Sequence, residues 1–135
     1  MSESKDINVQ LADGTLTKAL IVISELTPCR LDFECSEWER QRFCADDLHG
    51  AFVDLRSWLD GLGVKLLCNG ARVDVTPSGM SRGMSGGRKA YIIRLGKPSL
   101  SSDLVDVFEY AEPEKIGTVQ QQKEFYKKWV SSLRG

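Results

Sequence analysis

At 135 residues, the chain is long enough for one domain with its own core. Its formal net charge of −1 sets it apart from the strongly basic domains that bind nucleic acid generally. Apolar residues at 41% and charged residues at 27% exclude a disordered chain. No apolar run approaches the ~20 residues of a membrane-spanning helix. The polar start MSESKDINVQ shows no hydrophobic signal region. A single cytoplasmic domain over residues 1–135, without membrane contact, is therefore expected.

Residues 7–11 and 16–23 read as two strands joined across LADGTL. Asp13-Gly14 is a two-residue hairpin signal, because both turn positions need positive φ. ALIVI, residues 19–23, is apolar on both faces, as for a central strand covered on both sides. RLDFEC alternates, with Leu31, Phe33 and Cys35 on one face and Arg30, Asp32 and Glu34 on the other. WERQRFC reads either as its hairpin partner across Ser36-Glu37 or as the start of a helix.

Residues 46–62 read as a helix. Asp46 or Asp47 caps its start, and acids suit that end of the dipole. Leu48, Phe52, Leu55, Leu59 and Leu62 form one buried stripe, and Gly61 and Gly63 end it. VKLLC returns as a strand. AYIIRL is another, with Tyr91, Ile93 and Leu95 on one face. DLVDVFEY is a further candidate, with Val105 and Val107 opposite Phe108 and Tyr110. Residues 118–133 read as a second helix, capped by Thr118 with Gln121 completing a capping box. Its apolar side is Val119, Tyr126, Trp129, Val130 and Leu133. The order of strands, helix, strands, helix predicts an α+β fold: a mostly antiparallel sheet of about five or six strands with two main helices packed on it.

Cys29, Cys35, Cys44 and Cys68 include no Cys-x-x-Cys pair, and His49 is not spaced to complete a zinc set. Reduced, mostly buried thiols are expected, with no metal site and no cofactor. His49 lies one residue beyond the Leu48 stripe, and no Ser/His/Asp or Cys/His pattern surrounds it, so no catalytic residue is assigned. Trp129 belongs to the helix stripe, and Trp58 is read as core or rim. Trp38, between Glu37 and Glu39, is expected to be partly exposed, which would suit a protein interface.

Charge is unevenly spread. Residues 32–60 carry eight acids and three bases, residues 61–97 seven bases and one acid, and residues 98–118 five acids and one base. The bases gather around CNGARVDVTPSGMSRGMSGGRKAYIIRLGKP. Within it, residues 76–89 hold no carboxylate. Arg82, Arg88 and Lys89 supply charge, Ser78 a hydroxyl donor, and Gly86 and Gly87 the freedom to turn backbone N–H groups inward as an anion nest. Arginine adds bidentate recognition of carboxylate or phosphate. Met80 and Met84 either pin the segment to the core or offer adaptable contacts to a partner. The glycine spacing matches neither the P-loop nor the dinucleotide fingerprint.

The candidate binding residues are therefore Arg72, Ser78, Met80, Arg82, Met84, Gly86, Gly87, Arg88 and Lys89, with Trp38 as a second surface. The expected role is non-catalytic binding of a protein partner. The alternative is a small-anion site or enzyme using Arg72, Arg82, Arg88 and Lys89. Nucleic acid is disfavoured, because no aromatics interleave with the bases. Replacing Arg82 and Arg88 together by alanine is expected to change stability by no more than about 1 kcal/mol, as surface changes usually do.

Three short patterns carry a resemblance: the Cys-x-Gly step at Cys68, the Pro-Ser-Gly-Met-x-Arg-x-Met-x-Gly-Gly run from Pro77, and the Gly-Thr-Val-x-x-Gln helix start from Gly117. Over residues 66–133 the chain resembles a group of small single-domain bacterial proteins. The resemblance implies no activity. In size and composition the chain is also similar to the immunity proteins of bacterial toxin systems.

Overall fold

The computed structural model describes residues 2–24, 28–77 and 88–134. It begins with a meander: β1 (Ser2–Gln10), β2 (Leu16–Ser24), β3 (Cys29–Cys35) and β4 (Trp38–Ala45). The first turn is wider than the sequence suggests. Leu11 N–H bonds Thr15 O at 2.8 Å, Gly14 N–H bonds Leu11 O at 2.9 Å, and the Asp13 carboxylate accepts Thr15 N–H at 2.9 Å. Gly14 takes φ +89° while Asp13 keeps a negative φ. The connection is thus closed by a glycine bulge, with Asp13 bracing the turn, and is not a two-residue turn. WERQRFC resolves as a strand, with Cys35 paired to Trp38 across Ser36-Glu37.

α1 (Leu48–Gly61) follows, with the Asp47 carboxylate accepting Gly50 N–H at 2.9 Å as its N-cap. Leu48, Phe52, Leu55 and Leu59 are buried as the stripe predicts, but Leu62 lies past the last turn and is 41% exposed. Gly63, at φ +71°, reverses the chain into β5 (Lys65–Leu66). β5 pairs with β1, giving a five-stranded antiparallel sheet of order β4-β3-β2-β1-β5. α1 covers one face, where Ile21, Ile23, Leu31 and Phe33 are fully buried.

The opposite face corrects the reading of ALIVI as covered on both sides. Leu20 and Val22 are only half-buried there. In place of a helix, an ion cluster shields them in part: Arg42 grips Asp32 at 2.8 and 3.1 Å, and Arg40 reaches it at 2.6 Å. Asp32 is left 6% exposed. The Arg42 hydrogen bonds, then those of Arg40, hold its carboxyl below the usual range against the cost of burial.

The second half builds a separate three-stranded antiparallel sheet from β6 (Val75–Thr76), β7 (Lys89–Ile92) and β8 (Leu104–Asp106), in that order. β7 is shorter than AYIIRL. The chain turns at Gly96, φ +78°, within an Arg94–Lys97 bridge, so Leu95 is 51% exposed and does not continue the Ile93 face. β8 ends where Asp106 Oδ1 accepts Phe108 N–H at 2.9 Å. This side-chain turn puts Val107 and Phe108 into the core together, not on opposite faces.

α2 (Val119–Ser132) starts with the predicted capping box: Gln121 N–H bonds Thr118 Oγ1 at 3.1 Å, and Thr118 N–H bonds Gln121 Oε1 at 2.9 Å. Its covered side keeps Val119, Trp129 and Val130 of the predicted stripe but departs from it at the other two positions. Gln122, Phe125 and Trp129 are half-buried, whereas Tyr126 and Leu133 are each 42% exposed. The cause is what the helix docks on. Trp129 Nε1 donates to Lys97 O at 2.8 Å, Ser132 Oγ accepts Gly96 N–H at 2.7 Å, and the first turns lie against α1 and β6. Among the described residues, no helix is long and apolar enough to cross a membrane. No disulfide joins the four cysteines: Cys29 and Cys68 are buried and Cys35 half-buried, while Cys44 points outward from β4 and is exposed.

Candidate functional site

The β6–β7 hairpin presents the glycine-rich segment. Thr76 pairs with Tyr91 at the hairpin's root, so the chain leaves at Pro77 and returns at Arg88. Ser78, Met80, Arg82, Met84, Gly86 and Gly87 lie outside the described residues.

Arg88 is 18% exposed at its side chain and makes a bidentate bond to the Glu3 carboxylate of β1, at 2.6 and 2.8 Å. Its Nε lies 3.6 Å from Asp106 Oδ2, and its guanidinium stacks 5.3 Å from the centre of the Phe108 ring. Lys89 Nζ is 3.7 Å from the same Asp106 oxygen. The hydrogen bonds from Arg88 hold the Glu3 carboxyl below its ordinary value, against the opposing cost of burial.

Arg72 is tied to Asp74 by two bonds of 2.8 Å. Arg94 bonds Asp103 at 2.6 Å. Arg72, Arg88, Lys89 and Arg94 of the basic block at 61–97 are thus matched by carboxylates of the same fold, two of them, Asp103 and Asp106, from the acidic block that follows it. Arg72, Arg88 and Lys89 each stand beside a carboxylate of the fold, and within 78–87 the sequence supplies one charge, Arg82. For the same reason the Arg82 and Arg88 pair cannot be replaced as two surface residues.

Trp38 is not brought to this site. It stands on β4, three strands from the Glu3 strand, half-buried in an aromatic cluster. Its ring is 5.6 Å from Trp58 and 6.2 Å from Phe33, both edge or tilted contacts.

One constellation escaped the sequence reading. Arg56, 3% exposed, reaches out of α1 to join two of the three quoted patterns. Its Nη1 donates to Gln122 Oε1 at 2.7 Å and to Gly70 O at 3.4 Å, and its Nη2 donates to Gly117 O at 2.8 Å. Gln122 Nε2 returns bonds to Gly70 O at 3.1 Å and Arg72 O at 2.8 Å. Burial pushes the Arg56 pKa down, opposed by the nearby Asp60 charge. Gly70 must be glycine: a Cβ there would stand 2.7 Å from Phe52 and 2.9 Å from Val107. Pro77, where the third pattern starts, lines the same hollow as Gly70, Gln122 and His49.

The signal for Arg56 was present, since it lies four residues after Phe52 and three before Leu59, on the buried stripe. Among the described residues, no cluster of three or more His, Cys, Asp or Glu could hold a metal ion.

No protein-family model matches the chain, and no curated protein is significantly similar to it.

Proposed function

We propose that this protein binds a protein partner through the segment at residues 76–89, without catalysing a reaction. The observation that supports the reading is the anchoring of the segment's return by the Glu3–Arg88–Asp106 cluster, which ties it to the first strand of the fold. Between the roots, residues 78–87 hold four glycines, two methionines and Arg82. Glycines are conformationally costly to order, so local stability does not account for them. Methionine packs against varied surfaces and arginine bonds planar acceptors, which together suit a protein contact. A toxin-neutralising role is one concrete version, resting on similarity of size and composition alone. Four cysteines with no disulfide among them fit a reducing compartment, and the cytoplasm is the proposed location.

The test is affinity capture from the native host with wild-type protein and Arg82→Glu, compared quantitatively. A species retained by the wild type and lost from an equally stable variant supports the reading. Identical capture by both, or no stoichiometric species at all, counts against it.

A further inference from the structure

A cleft of about 340 Å³ opens between the end of α1, β5 and the start of α2. It shares no residue with the 76–89 segment. Its apolar wall includes Leu59, Val64 and Ile116, and its polar groups include Arg56, Asp60 and Lys65. Its volume is at the lower end of small-molecule sites, which pair an apolar lining with a few placed polar groups.

Arg56 gives the cleft its chemistry. A guanidinium has five N–H donors. Those of Arg56 make three bonds to protein oxygens, all neutral acceptors: Gly70 O, Gln122 Oε1 and Gly117 O. Nε–H and one Nη2–H remain. Buried charges are ordinarily paired with opposite ones. Asp60 lines the same cleft and accepts Val119 N–H at 2.8 Å, and its charge offsets part of that of Arg56. Lys65 is exposed at the rim and adds a second positive charge. The arrangement therefore suits one negative charge on an apolar body.

We propose that this cleft binds a small aliphatic monocarboxylate, with its carboxylate at Arg56 and its hydrocarbon against Leu59, Val64 and Ile116. The site is separate from the partner surface and does not depend on it.

The test is a titration of the full chain with sodium 4-methylpentanoate, followed by amide chemical shifts and calorimetry. Neutral 4-methylpentanamide and leucine serve as comparisons. Saturable one-to-one binding is expected, with shifts at Ala71, Gly117 and Thr118. The amide should bind at least about tenfold more weakly, the scale of one charge-assisted hydrogen bond. Ile116→Trp, which fills the cleft, should abolish binding. Should that variant fail to fold, Lys65→Ala at the exposed rim should weaken binding several-fold. No saturation, equal binding of the amide, or unchanged affinity in every folded variant would overturn the proposal. Preference for leucine would overturn it too, because the added ammonium would then be what the cleft reads.

Discussion

Arg88 and Glu3 meet as a bidentate ion pair although they stand 85 residues apart in the chain. The pair closes the fold on itself and fixes the point where the glycine-rich segment returns. Arg88→Ala should therefore destabilise the protein by about 1–2 kcal/mol in denaturant unfolding, more than an exposed pair contributes and less than a fully buried one. Arg82→Ala should stay within about 0.5 kcal/mol of wild type, as an ordinary surface change does.

The same pair predicts an acid response. The folded Glu3 carboxyl titrates below its ordinary 4.5, chiefly because Arg88 bonds its ionised form. Its contribution to stability is thus fully present above 4.5 and is lost as pH falls through the lower folded value. Stability of wild-type protein should fall more steeply below that pH than stability of Arg88→Ala. Parallel curves would mean that the pair does not persist in solution.

Removing the Arg56 bonds should cost more. Arg56→Met keeps the bulk of the side chain but leaves Gly117 O and Gln122 Oε1 without their donor in a covered site. A loss of about 2–4 kcal/mol is expected from orphaned buried acceptors, read as a shift in the unfolding midpoint. Gln122→Ala should have a similar effect, and the double variant should lose less than the sum, since the two act in one network.

Glycines at two positions separate packing from backbone effects. Gly70→Ala places a methyl against Phe52 and Val107 and should destabilise by about 1–3 kcal/mol. Gly61→Ala meets no atom within 4 Å at the end of α1, and should be neutral or stabilising.

The thiols give a kinetic prediction. Cys44 is exposed and should react at once with a thiol reagent, with half-buried Cys35 following more slowly. Cys29 and Cys68 should react only on unfolding. Burial pushes the Cys68 thiol up to about 12, so it offers no thiolate near neutral pH. Four fast-reacting native thiols would contradict the buried positions.

The sequence was most readable where local rules and tertiary context agree. The Thr118 cap, an aspartate cap at 46 or 47, and the α1 stripe as far as Leu59 follow from spacing, because a helix start and a buried face each need few residues to specify. The reading failed where side chains redirect the backbone. Asp13 widens the first turn, and Asp106 ends β8 and turns Val107 and Phe108 inward together. On α2, Val119, Trp129 and Val130 follow the stripe, but Tyr126 and Leu133 do not, because the helix docks on Lys97, α1 and β6, which no local pattern names. The charge blocks were legible, but their meaning was not: Arg72, Arg88, Lys89 and Arg94 are answered by carboxylates that only the fold brings near. Arg56 was hidden by its own residue type, since arginine on an apolar stripe reads as an exception.

We propose above that residues 76–89 form the contact surface. Amide hydrogen exchange, measured on the free protein and with the captured partner at saturation, tests it most directly. Slowed exchange is expected across residues 78–87 and at Lys89, with the Trp38 strand unchanged. Unaltered exchange in 78–87, with protection around Trp38 or along α2, would contradict it and place the contact elsewhere.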